Sequence, residues 1–158
     1  MSVITVKERL AQILENETSV GAGHAYARSP QAILYEYLPM FVITTQSGTL
    51  LTGGQGSAYD LPVESRQYNL VLLALPWSAG TDLQAEEACE GFFSEVLTAF
   101  TRRESLCYPR KQNPLAGVLQ SKLISDTGIV NIVYNDNRFA GVTWTLEVIE
   151  VLAPGGGS

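Results

Sequence analysis

The run "VESRQYNLVLLAL", Val63 to Leu75, is long enough for one extended strand. Its second half is continuously apolar and is expected to be buried. The run is far short of the roughly 20 apolar residues that a membrane-spanning helix needs. Upstream, "LPMFVITT" from Leu38 to Thr45 is rich in β-branched and aromatic residues and reads as a second strand. The two are expected to pair as a hairpin. The connection, residues 46–62, exceeds the about 12–15 residues beyond which loops are commonly functional or mobile. It contains "LTGGQGSAYD", Leu51 to Asp60.

Three glycines so close together, Gly53, Gly54 and Gly56, raise the possibility of a phosphate cradle. A nucleotide P-loop needs a Lys, a Ser or Thr, and a helix N-terminus that supplies backbone N–H groups. "GGQGSAYD" has no Lys and runs through Leu61 and Pro62 into a strand. The stretch therefore reads as a flexible connection, and no cofactor is expected.

Working outward, a helix is predicted over Thr5–Glu17. Thr5 and Glu8 have capping-box spacing, and Val6, Leu10, Ile13 and Leu14 share one face. "TSVGAGHAYARSP" then reads mostly as loop. After the long strand, a second helix is predicted over Asp82–Arg103. Thr81 and Gln84 offer capping-box spacing, Glu86 and Glu87 sit near the positive end of the dipole, and Arg102 and Arg103 sit near the negative end. Ala85, Ala88, Phe92, Val96 and Ala99 form a stripe that Cys89, Phe93, Leu97 and Phe100 widen.

Pro109 and Pro114 break the chain, and three strands are predicted over Val118–Ser125, Ile129–Tyr134 and Gly141–Leu152. In the last, Val142, Trp144, Leu146 and Val148 alternate with Thr143, Thr145 and Glu147. One face is buried and the other can meet water or a partner. The order α, β, β, α, β, β, β predicts an α+β fold: a mainly antiparallel sheet of about five strands, two helices on one face and a long hairpin arm. Residues 1–152 are expected to form one domain, and 153–158 a flexible Gly-rich tail.

The 158 residues are 46% hydrophobic and 16% charged, the make-up of one compact core. No membrane segment and no secretory signal are expected, so folding in the cytosol is the default. The net charge of −6 disfavours a non-specific grip on nucleic acid. Cys89 and Cys107 form no CxxC pair, so neither a disulfide framework nor a zinc site is expected. His24, the single histidine, lies in a Gly-rich loop without a nucleophile motif beside it, and reads as a surface residue.

Charge is segregated. Residues 82–95 hold Asp82, Glu86, Glu87, Glu90 and Glu95 without a base, whereas residues 102–111 hold Arg102, Arg103, Arg110 and Lys111 against Glu104 alone. Each charge can be explained by the helix dipole. Together they also suit a head-to-tail contact between copies, which closes into a ring if its rotation allows.

With this order assembled, the chain resembles the tail terminator proteins of long-tailed phages, of the lambda-like minor tail protein U type. The similarity covers most of residues 3–152. It lies in the short first helix, the hairpin ending in "SRQYNLVLLAL", the acidic helix "DLQAEEACEGFFSEVLTAF" and the closing "FAGVTWTLEVIEV". The resemblance implies a non-enzymatic virion protein at the neck or top of the tail. It would form a homo-oligomeric ring, a hexamer, on the tail tube protein, end polymerisation and meet the head-tail connector protein. DNA would only pass through the lumen.

On that reading, residues 51–60 form a projecting arm. Leu50, Leu51 and Tyr59 supply apolar contact, while Gly53, Gly54, Gln55 and Gly56 let it adapt. Ordering such an arm costs about 1–2 kcal/mol per residue, so it needs a sizeable partner surface. The alternatives are another neck or tail protein, such as a head-tail completion or tube subunit, a small adaptor domain, or a small hydrolase using His24 with Cys107 or a helix carboxylate.

Overall fold

The computed structural model describes residues 3–21, 23–31, 33, 35–51, 63–77, 82–110 and 112–151. Helix α1 spans Val3–Glu17 and helix α2 spans Asp82–Phe100. The strands are β1 (Ala25–Tyr26), β2 (Met40–Leu50), β3 (Val63–Pro76), β4 (Val118–Asp126), β5 (Val130–Tyr134) and β6 (Asn137–Val151). They form one six-stranded sheet in the order β1-β2-β3-β6-β4, with β5 also on β6. Among the described residues, only the two-residue β1–β2 pairing is parallel. The fold is therefore α+β.

The register shows why β3 and β6 form the sheet's centre. Leu70 faces Trp144, Leu72 faces Val142 and Tyr68 faces Leu146, so the apolar alternation of β6 meets that of β3. These even-numbered residues, with Phe41 and Ile43 of β2, form the face under both helices. From α1 come Val6, Leu10, Ile13 and Leu14; from α2 come Cys89, Phe92, Val96, Ala99 and Phe100. Phe41 meets Phe92 edge to face at 5.8 Å between ring centroids, and Trp144 meets Phe93 at 5.7 Å. Both distances lie within the range of favourable aromatic pairs.

A smaller core occupies one end of the opposite face, where Met40, Val42, Leu73 and Phe139 are covered by Tyr26, Ile33, Leu38, Ile132 and Tyr134. That cover explains why the second half of β3 is apolar on both sides. Beyond it the face is polar.

β4 and β5 run one after the other along the same edge of β6, joined where Thr127 N–H donates to the Thr143 carbonyl. The β5–β6 turn has Asn135 at φ 48° and Asp136 at φ 65°. Positive φ at both central residues is the signature of a two-residue type I′ hairpin, whose twist suits the flanking strands. At Gly141 the strands approach closely: a Cβ there would lie 1.8 Å from the Leu72 carbonyl oxygen.

Several boundaries differ from the sequence expectation. α1 begins at Val3, so Thr5 and Glu8 lie within the helix instead of capping it. β2 continues through Leu50, because Gly48, Thr49 and Leu50 pair with Arg66, Ser65 and Glu64 after a bulge between Thr45 and Gly48. The first residues expected in the long connection are therefore strand. α2 ends at Phe100, which leaves Arg102 and Arg103 outside it. β6 starts at Asn137 and takes up four residues expected in a loop.

Candidate functional site

No cleft among the described residues gathers a nucleophile, a base and an orienting acid, so surfaces are the features to consider. The first is the outer part of the β2–β3 hairpin. Met40 to Ile43 are buried, whereas Gln46 to Leu50 are exposed, with Leu50 57% and Leu51 43% accessible. The bulge near Gln46 lets β2 carry its pairing out to that point, where Leu51 N–H still donates to the Val63 carbonyl at 2.6 Å. Gly53, Gly54, Gln55, Gly56 and Tyr59, expected in the projecting arm, lie outside the described residues.

Arg66 stiffens this hairpin. Its Nε and Nη2 donate to Glu64 at 2.8 and 3.1 Å, and its Nη1 donates to the Gln46 carbonyl at 3.1 Å. The pair lies against Gly48, where an added Cβ would come within 2.8 Å of Arg66 Nη2. A hydrogen bond to Glu64 is the main reason that the Arg66 guanidinium is held above its ordinary value.

Alongside, the open sheet face carries hydroxyl and amide groups. Thr44 pairs with Asn69, Thr49 with Ser65, Ser125 with Thr145, and Lys122 stands opposite Glu147. Gln46 donates to Asn69 at 2.6 Å and Ser65 donates to Glu147 at 2.8 Å. Ser47, Thr49, Leu51, Ser65, Gln67 and Glu147 line a shallow groove of about 280 Å³. The alternation of Thr143, Thr145 and Glu147 foreshadowed this face on β6. Its contributions from β2 and β4 depend on register and were not legible.

The second surface is the outer side of α2. Glu86, Glu87 and Glu90 are exposed there, and Asp82 opens the helix. Leu97, expected in the apolar stripe, is 57% exposed. It lines a groove of about 280 Å³ with Phe93, Leu123, Ile124 and Trp144.

The four bases expected opposite these acids do not form one patch. Arg102 is exposed. Arg103 is only 2% exposed and is spent inside the fold: its Nε donates to the Ala99 carbonyl at 2.7 Å, and its Nη1 donates to the Cys107 carbonyl. Its Nη2 pairs with Glu17. Burial, and next the nearby Arg110, lower the Arg103 pKa from its ordinary value, though arginine stays protonated. Arg110 closes the end of α2 by donating to the carbonyls of Thr101 and Thr98, both at 2.7 Å. These two arginines satisfy carbonyls that a helix C-terminus leaves without intrahelical partners. Lys111 lies outside the described residues.

Other candidates take structural places. His24 Nδ1 lies 2.7 Å from the Tyr37 carbonyl and 3.3 Å from that of Pro39, so it donates and ties down the loop. Cys89 is buried, which raises its thiol pKa, and Cys107 is half-buried; neither is part of a disulfide. No group of potential metal ligands occurs among the described residues. Among them, no helix is long and apolar enough to cross a membrane. Compared with protein-family models and with curated proteins, the chain matches none.

Proposed function

We propose that this chain is a structural virion protein of the tail terminator kind. Copies close into a ring, a hexamer by the resemblance above, on the end of a tail tube. The ring ends polymerisation there and presents a surface to the head connector, with DNA passing through the lumen. The proposed place is the neck or the top of the tail.

The observation that carries this reading is the two-part β2–β3 hairpin. Its inner half is anchored in the core, while the outer part of β2, Gln46 to Leu50, stays paired with β3 but exposed and leads to the exposed Leu51. A rigid base leading into a Gly-rich stretch suits an arm that orders against a large partner surface. The hydroxyl and amide face beside it, which also carries Lys122 and Glu147, offers many hydrogen-bond partners for such a contact.

The test adds purified protein to polymerising tail tube subunits and measures tube length by electron microscopy. A terminator shortens the tubes and decorates one end of each. Tubes of unchanged length with bare ends contradict the reading. Incorporation along the whole tube identifies a tube subunit instead.

A further inference from the structure

The outer face of α2 is ordered by charge. Glu86, Glu87 and Glu90 stand on its first half, and Arg102 stands just past its end. Between them, the exposed Leu97 and the half-buried Phe93 line the groove beside β4, apolar except for Ser125 and Asp126. Gly91, also exposed, sits mid-helix, and a Cβ there would meet nothing within 4 Å. A glycine inside a helix is destabilising, and no packing within this fold requires it.

We propose that this face pairs with the same face of a second copy, antiparallel, about a twofold axis that passes beside Ser94. Reversing the helix makes its charge order its own complement. Glu87 then reaches Arg102 of the other copy, Leu97 packs on the other Phe93, and Gly91 admits the other Thr98. The Glu87–Arg102 and Gly91–Thr98 pairings are centred between residues 94 and 95 and the Leu97–Phe93 pairing on residue 95, half a residue away, so one rigid placement brings them together. A twofold contact requires this self-complementarity.

The charges also fix the direction. Parallel pairing would set the three glutamates against their own copies, and like-charge juxtaposition is costly at an interface. Antiparallel helices additionally oppose their dipoles favourably. The contact goes beyond the ring reading and does not rest on it, because a ring closes through head-to-tail contacts.

The test uses the full chain with Ser94→Cys, which places a thiol near the axis in both copies. Under mild oxidation, a covalent dimer should form at least tenfold faster than in the wild type or in Glu8→Cys, a control on the exposed side of α1. Glu87→Arg or Arg102→Glu, each added to Ser94→Cys, should slow cross-linking about tenfold, and the two together should restore it. The proposal is overturned if Ser94→Cys cross-links no faster than the controls. It is equally overturned if the double charge swap is as slow as either single swap. Native mass of the wild type reports ring closure separately, so either idea can fail alone.

Discussion

The buried guanidinium of Arg103, just beyond α2, pairs with the carboxylate of Glu17 in the last turn of α1. Arg110 reaches the same carboxylate at 3.7 Å, and Arg9 of α1 donates to the Leu106 and Asn113 carbonyls at 2.8 and 2.7 Å. Three arginines thus pin the segment after α2 to α1. Glu17→Ala leaves Arg103 buried without its counter-ion. Because Glu17 keeps some water contact, the expected loss is about 3 kcal/mol, at the low end for breaking a buried pair. Urea denaturation should show a lower midpoint, and Glu8→Ala, at an exposed position of α1, should not.

Glu150 gives a pH prediction. It is 3% exposed and accepts from the Tyr68 hydroxyl at 3.3 Å, and burial raises its pKa from the ordinary 4.5. Burial also raises the Tyr68 hydroxyl pKa, so that group stays a donor. Between the unfolded and folded pKa values of Glu150, the folded state holds more protons. Its contribution to stability therefore falls as pH rises through that window. Glu150→Gln should raise the melting temperature at pH 7 and have a smaller effect at pH 4. An equal difference at both pH values would contradict this origin.

Gly141→Ala tests the close approach of β6 to β3. The added Cβ would overlap the Leu72 carbonyl, and the backbone must shift. A loss of about 2–3 kcal/mol is expected, the upper part of the roughly 1–3 kcal/mol typical of overpacking a core site. Thermal unfolding checks it, with Ala140→Gly as a neighbouring control that adds no atom.

The hairpin tip separates folding from assembly. Leu50→Asp with Leu51→Asp should change stability by less than about 0.5 kcal/mol, because both side chains are exposed. Deleting Thr52 to Ser57 should likewise spare the fold. Both changes should weaken capping of tail tubes, measured by tube length at fixed protein concentration.

The parts of the fold that declare themselves locally were legible. β3 and the second half of β6 carry apolar periodicity that burial enforces, and α2 carries its buried stripe. The outer half of β2 was not, because "QSGTL" has weak strand propensity and gains its structure from pairing with residues 64–66 across a bulge. Arg103 was misplaced on the surface because only its partner in α1, distant in sequence, makes its burial tolerable. Leu97 was assigned to the core since periodicity describes a helix face and not how far the sheet beneath it extends. The type I′ turn at Asn135 and Asp136 was available as a signal, and reading it would have started β6 at Asn137.

The most direct measurement is native mass across protein concentration, by light scattering at low and moderate salt, together with images of the same particles on tail tube ends. The account predicts a discrete assembly, six copies in mass for one ring or twelve where paired α2 faces join two rings, that caps tubes and grows no further. Open-ended growth with concentration, or a monomer that leaves tube ends bare, would contradict it.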